Sequence, residues 1–217
     1  MSGNSAGRIS AVVFDFGGVF TVSPFTAAKE GGLELGIAVE DALELCFGSY
    51  AEDTDHPWHR LERGEVGLMD ARAELVALAA ERGLDMDPLS MLARLSRHDD
   101  QREEVVERAL KIRRSGVRTA LVTNNVLEFG DAWRSMIPVD ELFELVIDSC
   151  HTGVRKPDPS MYHQALSTLE VAPGEAAFLD DFPANVAAAQ AIGMHGIVVG
   201  DDRLAAFDEL EALVWPS

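Results

Sequence analysis

"AVVFDFGGVF", residues 11–20, decides the fold. Ala11 to Phe14 are four apolar residues in a row, as a strand buried on both faces requires. The run then delivers a single carboxylate, Asp15, into a loop carrying Gly17 and Gly18. An ionised acid at a strand end needs a cation, a set of backbone N–H groups, or a reaction to perform. The two glycines let the loop backbone approach whatever sits there.

Four further apolar runs read as buried parallel strands: "RTALVTN" (118–124), "ELVIDSC" (144–150), "AAFLDD" (176–181) and "GIVVG" (196–200). Between them lie patterns of helical period at 101–116, 158–170, 183–194 and 203–214. The second of these opens on Asp158 as N-cap and Pro159 at the first helical position. Strands alternating with helices predict an α/β protein with a Rossmann-like, doubly wound parallel sheet. Residues 24–98 break the rhythm, with helical patterns such as "AVEDALELCFGSYA" and "GLMDARAELVALAAERGL" and no strand. The predicted organisation is therefore a core from 1–22 and 99–217 with an all-helical insertion at 23–98. The polar run "RHDDQREE" (97–104) reads as the returning hinge.

The 217 residues carry 18 basic and 37 acidic side chains, a net charge of −19. The excess is spread along the chain: residues 20–100 hold 7 basic and 17 acidic groups, the remainder 11 and 20. A field of that sign repels nucleic acid and anionic membranes, so neither is expected as a partner. No leader-like apolar segment opens the sequence and no run approaches a membrane span, which predicts a cytoplasmic protein. Cys46 and Cys150 are too few for a disulfide framework and read as reduced thiols. Oligomeric state is left open.

Polar residues gather at the strand ends. Asp15 closes the first strand, Thr123-Asn124-Asn125 the second, Asp180-Asp181 the fourth, and "HTGVRKPDP" with Lys156 follows the third. In an open parallel sheet these ends line one crevice. Three carboxylates brought together require a cation, and hard oxygen ligands suit Mg²⁺. Thr123 and loop N–H groups suit phosphoryl oxygens, and Lys156 neutralises their charge. As a set they describe phosphoryl transfer through an aspartyl-phosphate. Taken singly, each has a plainer reading as a turn acid, a helix cap, a strand residue or a surface lysine.

The order "VVFDFGGV", "LVTNN", "GVRKPDPSMY", "FLDDFPANVAAAQAIGM" resembles the four motifs of the haloacid dehalogenase-like (HAD) superfamily. A helical insertion directly after the first motif resembles its subfamily I cap. "SCHTGVRKPDPSMY", "FLDDFPANV" and "LERGEVGL" are most similar to the phosphatase domains found at the N-terminus of soluble epoxide hydrolases and to related bacterial sugar phosphatases. The resemblance implies a Mg²⁺-dependent phosphatase acting on a small phosphorylated metabolite. Asp15 would be nucleophile and metal ligand, and Gly17 would offer its carbonyl to the metal. Thr123 with Asn124 would hold the phosphoryl group, and Lys156 would tether nucleophile and phosphate. Asp181 would be the metal ligand of the fourth motif, with Asp180 binding through water or from behind.

One departure stands out. Phosphatases of the family usually carry a second aspartate two residues after the nucleophile, as acid for the leaving group and base for water. Here that position is Gly17. Water, a cap histidine (His56 or His59, beside Trp58), or a substrate with a good leaving group would have to compensate, the last being favoured. Two rival readings remain. A metal-independent 2-haloacid dehalogenase also lacks the second aspartate, but has no need of Asp180-Asp181 and would want an arginine early in the cap, where residues 20–40 have none. The other rival is a catalytically idle HAD fold that binds a ligand or a partner.

Overall fold

The computed structural model describes residues 8–49, 52–96, 99–130 and 132–216, the side chains of 93–96 excepted. The expected helix end at 50–51, residues 97–98 of the hinge and the N-terminal 1–7 lie outside the described residues. In chain order the elements are β1 (Ala11–Phe14), α1 (Pro24–Glu34), α2 (Val39–Phe47), α3 (Pro57–Glu62), α4 (Leu68–Glu81), α5 (Arg102–Arg114) and β2 (Arg118–Thr123). They continue as α6 (Val139–Leu142), β3 (Leu145–Asp148), α7 (Ser149–Thr152), α8 (Pro159–Thr168), β4 (Ala176–Asp180), α9 (Pro183–Ala191), β5 (His195–Val198) and α10 (Arg203–Val214). Tighter 3₁₀ turns cover Pro88–Ser96, Leu127–Phe129, Trp133–Met136 and Pro173–Glu175.

All five expected strands are present, in one parallel sheet of order β3-β2-β1-β4-β5. The third is shorter than its apolar run. The Asp148 carboxylate accepts from the Cys150 N–H at 3.2 Å and turns the chain into α7, which takes Ser149 and Cys150 out of the sheet. The strand period of two sorts β1 between two cores. Val12 and Phe14 join Leu121, Leu179, Ile112 and Phe207 on the α5/α10 side. Ala11 and Val13 join Val122, Phe178, Tyr162 and Val186 on the α8/α9 side. With helices on both faces, β1 and β4 are buried end to end and β2 from its second residue on.

Local chemistry sets the helix starts. Asp158 caps α8, its carboxylate accepting from Ser160 N–H at 2.8 Å with Pro159 next, as expected. Ser23 does the same for α1, accepting from Phe25 and Thr26 ahead of Pro24. From α1 to the 3₁₀ turn at 88–96 the described residues hold no strand. These helices share a third apolar cluster, built on Phe25, Leu45, Phe47, Trp58, Leu61 and Met91 and reaching Val126 of the sheet side. Gly31 lets α1 lie against the 3₁₀ turn: a Cβ there would come within 2.9 Å of the Met91 Cα. Cys46 and Cys150 are both free thiols, and burial pushes each up to about 12. No helix among the described residues is long and apolar enough to cross a membrane.

Candidate active site

The strand order reverses about β1, so the carboxyl ends of β1, β2 and β4 open on one crevice. Register sets the level. Phe14 pairs with Leu121 and with Leu179, and the next residue, Asp15, donates its N–H to the Leu179 carbonyl at 2.8 Å. Asp15 therefore stands beside Asp180, and Thr123 ends its strand one position further on.

Lys156 enters from the loop before α8, only 1% exposed, and its ammonium lies between two acids. Nζ is 2.7 Å from Asp15 Oδ1 and 2.6 Å from Asp180 Oδ2. Burial works against the Lys156 charge, but the two carboxylates outweigh it and hold the ammonium above its usual range. Burial pushes the Asp15 carboxyl up to about 7; Lys156 pulls it down and Asp180 adds to the rise.

The two acids of the fourth strand end differ. Asp180 is fully buried, and both its oxygens are engaged. Oδ1 accepts from Phe182 N–H at 2.7 Å, Oδ2 from Lys156 at 2.6 Å, and the Asn185 amide reaches both at 3.1 and 3.0 Å. Its geometry is that of a holder for the lysine. Asp181 is half-buried, yet its Oδ2 is shielded from solvent and has no hydrogen-bond partner among the described residues. Burial, then Asp180 and Asp15, raise its carboxyl well above the usual range.

Acid oxygens of Asp15, Asp180 and Asp181 lie within 4.8 Å of one another. One ammonium cannot balance three carboxylates, and a shielded acid oxygen with no donor marks where a hard cation fits. The loop is shaped around Asp181. Gly18 has φ +71°, and a Cβ there would fall 2.2 Å from the Asp181 carboxyl carbon. Gly17 is different: a Cβ would meet Pro24 at 3.5 Å and Asp15 Oδ2 at 4.0 Å, both ordinary contacts, so its lack of a side chain is no packing requirement. A cavity of about 450 Å³ opens on Asp181, lined also by Ser23, Phe25 and Lys29.

Each residue expected from the sequence can now be placed. Asp15, Lys156, Asp180 and Asp181 come together, and Thr123 is buried at the adjoining strand end. The Asn124 side chain is turned onto the loop of Lys156. Its Oδ1 accepts from the Lys156 N–H at 2.8 Å and its Nδ2 donates to the Lys156 carbonyl at 3.1 Å, so the side chain clamps the lysine's own peptide. His56 and His59 are each held by a local hydrogen bond at Nδ1. His56 Nδ1 accepts from Trp58 N–H as the cap of α3, His59 Nδ1 from Thr54 N–H, and neither lines the cavity beside Asp181. Burial lowers them to about 4 and about 3, so both are neutral near pH 7. Sequence reasoning missed Asn185, whose signal was an amide five residues after Asp180 on a helix starting at once. It also missed Arg155, read only as part of "GVRKPDP".

A family model for haloacid dehalogenase-like hydrolases matches residues 9–193. The chain belongs to that family. It is 35% identical over 217 residues to acyl-CoA dehydrogenase family member 10 of Mus musculus, covering 97% of this chain and 20% of that protein. Bifunctional epoxide hydrolase 2 of Mus musculus is 30% identical over 217 residues, covering 94% and 38%. The chain thus spans well under half the length of either. Sesquiterpene phosphatase astK of Aspergillus oryzae is 29% identical and matched nearly end to end, 94% of this chain and 96% of that one. Among solved structures, a predicted HAD-like family hydrolase from Porphyromonas gingivalis superposes with a TM-score of 0.64 at 24% identity, covering 94% and 98%. A HAD family enzyme of Bacteroides thetaiotaomicron in complex with magnesium gives 0.61 at 18%, covering 90% and 96%. A dehalogenase with an intermediate complex gives 0.62 at 19%, covering 97% and 99%. The shared fold is thus common to phosphatases and dehalogenases, and the choice between them rests on the site.

Proposed function

We propose that this HAD-like hydrolase is a Mg²⁺-dependent phosphatase of a small phosphorylated metabolite, working through an aspartyl-phosphate on Asp15. The observation that carries the reading is the shielded Asp181 Oδ2, without a hydrogen bond among the described residues, beside an Asp15–Lys156–Asp180 cluster. A dehalogenase has no use for that third acid. The phosphatase relative matched end to end points the same way.

Asp15 and Asp181, with the Gly17 carbonyl, would hold Mg²⁺, which when bound supplies charge neutralisation for the phosphoryl oxygens. The chain's own groups do the rest. Asp180, held by Asn185 and the Phe182 N–H, fixes the Lys156 ammonium against Asp15. The ammonium keeps the Asp15 carboxylate oriented and offsets phosphoryl charge as it develops. An Asp15 oxygen bonds to phosphorus while the bond to the leaving oxygen breaks and that oxygen takes the electron pair. Water then attacks phosphorus, the bond from phosphorus to the Asp15 oxygen breaks to return the carboxylate, and the water's proton leaves with the released phosphate or to solvent. Residues 23–98 would act as the cap that shields these steps.

No side chain at position 17 protonates the departing oxygen, and the Nδ1 atoms of His56 and His59, both neutral near pH 7, are engaged elsewhere. General acid catalysis is typically worth 10²–10⁴-fold, so the site favours leaving groups that depart without it. An anomeric or acyl phosphate fits; a simple alkyl phosphate does not. The test is phosphate release from p-nitrophenyl phosphate with Mg²⁺, with EDTA and with Asp15→Asn, then from glucose 1-phosphate, acetyl phosphate and glycerol phosphate. Metal-dependent turnover lost in the variant is expected. Chloride release from 2-chloropropionate in EDTA, with no phosphate release, would replace this reading by the dehalogenase one.

A further inference from the structure

We propose that Glu62, at the end of α3, is a positioning residue for Lys156, acting through Arg155 across the boundary between the helical insertion and the sheet. The inference rests on the reading of Lys156 as part of the active site. Arg155 is fully buried, and its Nε lies 2.7 Å from Glu62 Oε2. Glu62 is itself 3% exposed, and its other oxygen, Oε1, accepts from the Trp58 indole N–H at 2.7 Å. A guanidinium stays charged in any environment, so its burial demands a fixed anion. Asp53 stands 3.5 Å from Nη1 but is over a third exposed, whereas Glu62 is buried with the guanidinium.

The same end of α3 is pinned by its backbone. Ser149 Oγ donates to the Glu62 carbonyl at 2.6 Å and accepts from Asn125 N–H at 3.0 Å. Gly64 passes so close to the Cys150 carbonyl that a Cβ would lie 2.6 Å from its oxygen. These contacts fall on the loop after β2, which carries Asn124, and on α7, which leads into the loop carrying Lys156. Arg155 and Lys156 are consecutive residues whose cations run to different acids, Glu62 in the insertion and Asp15 with Asp180 in the sheet. With Asn124 clamping the Lys156 peptide, the loop is held from both sides. Remove the Glu62 charge, and the buried guanidinium must turn toward water, drawing the Lys156 backbone with it. Seating of the insertion and placement of the catalytic ammonium are then one event.

Four proteins test this: wild type, Glu62→Gln, the charge-free pair Glu62→Gln/Arg155→Met, and Arg72→Gln, which breaks an exposed ion pair inside the insertion. Hydrogen exchange reads the coupling without any substrate. In Glu62→Gln, peptides covering 57–64 and 153–158 should lose protection together by at least about tenfold, with β4 unchanged. Steady-state hydrolysis of p-nitrophenyl phosphate with Mg²⁺ should show kcat down at least about tenfold and KM within about threefold. The double variant should recover most of both losses, because no unpaired charge remains buried, and Arg72→Gln should match wild type. Loss of protection confined to 57–64, or a double variant no better than the single one, overturns the proposal. If wild type hydrolyses none of the phosphates while the exchange result holds, the coupling stands and the phosphatase reading falls.

Discussion

Lys156 is the residue on which the site turns, since its ammonium is shared at 2.7 and 2.6 Å between Asp15 and Asp180. Asn185 supports that arrangement from behind, so Asn185→Ala should lower kcat by about tenfold while KM moves less, measured on p-nitrophenyl phosphate. Gly17 gives the opposite kind of prediction. A Cβ there finds only ordinary contacts, with Pro24 at 3.5 Å and Asp15 Oδ2 at 4.0 Å, so Gly17→Asp should fold normally and supply the missing acid. Turnover of glycerol phosphate should rise by about 10²-fold, with little change for p-nitrophenyl phosphate. No gain on the alkyl phosphate would show that leaving-group protonation does not limit this enzyme. Gly18 has no such latitude. At φ +71°, with the Asp181 carboxyl in the Cβ position, Gly18→Ala should cost roughly 1–3 kcal/mol in denaturant unfolding.

At the scale of elements, what the sequence showed and what it hid divide along the range of the interactions. β1 and the acid after it were legible because four apolar residues followed by Asp15 admit few other readings, and the strand-end positions of Thr123 and Asp180 followed from the same period. The β3 run misled by two residues because Asp148 caps a helical turn, a local preference that apolar patterning does not register. The hold of the Asn124 side chain on the Lys156 peptide, 32 residues away in the chain, has no local signal. The Glu62–Arg155 pair spans 93 residues and joins two elements whose packing no single segment specifies. The state of His56 and His59 is hidden for a related reason: the sequence places them beside Trp58, whereas burial and capping set their protonation.

For the whole molecule, two equilibria report on the fold and site together. If Asp181 and Asp15 hold Mg²⁺, the ion binds only the folded state and raises its stability by RT ln(1 + [Mg²⁺]/Kd), about 2.7 kcal/mol at a hundredfold excess over Kd. Thermal unfolding should shift upward with MgCl₂ in wild type and not in Asp181→Asn; an equal shift in both would remove Asp181 from the metal site. The second equilibrium is protonation of the insertion. His59 is lowered to about 3 by burial and by Arg155, and His56 to about 4 by burial and by Arg82. Between those values and the ordinary 6.5 the unfolded chain binds the extra protons. Their stabilisation is therefore complete above pH 6.5 and is lost as pH falls, at up to about 1.4 kcal/mol per unit for each histidine. Asp15 and Asp181, raised in the metal-free protein, act in the opposite direction, so the comparison to make is wild type against His59→Asn. The difference in unfolding free energy between the two should change steadily from pH 6.5 to pH 4, with wild type the more acid-sensitive. Parallel curves would mean that His59 is not held neutral.

The most direct measurement is a single-turnover reaction of acetyl phosphate with excess enzyme and Mg²⁺, quenched in acid and mapped by mass spectrometry. A phosphoryl group on the peptide containing Asp15, absent in Asp15→Asn, is the predicted result. Phosphate released at full rate with no label on that peptide at any time point would contradict the aspartyl-phosphate route.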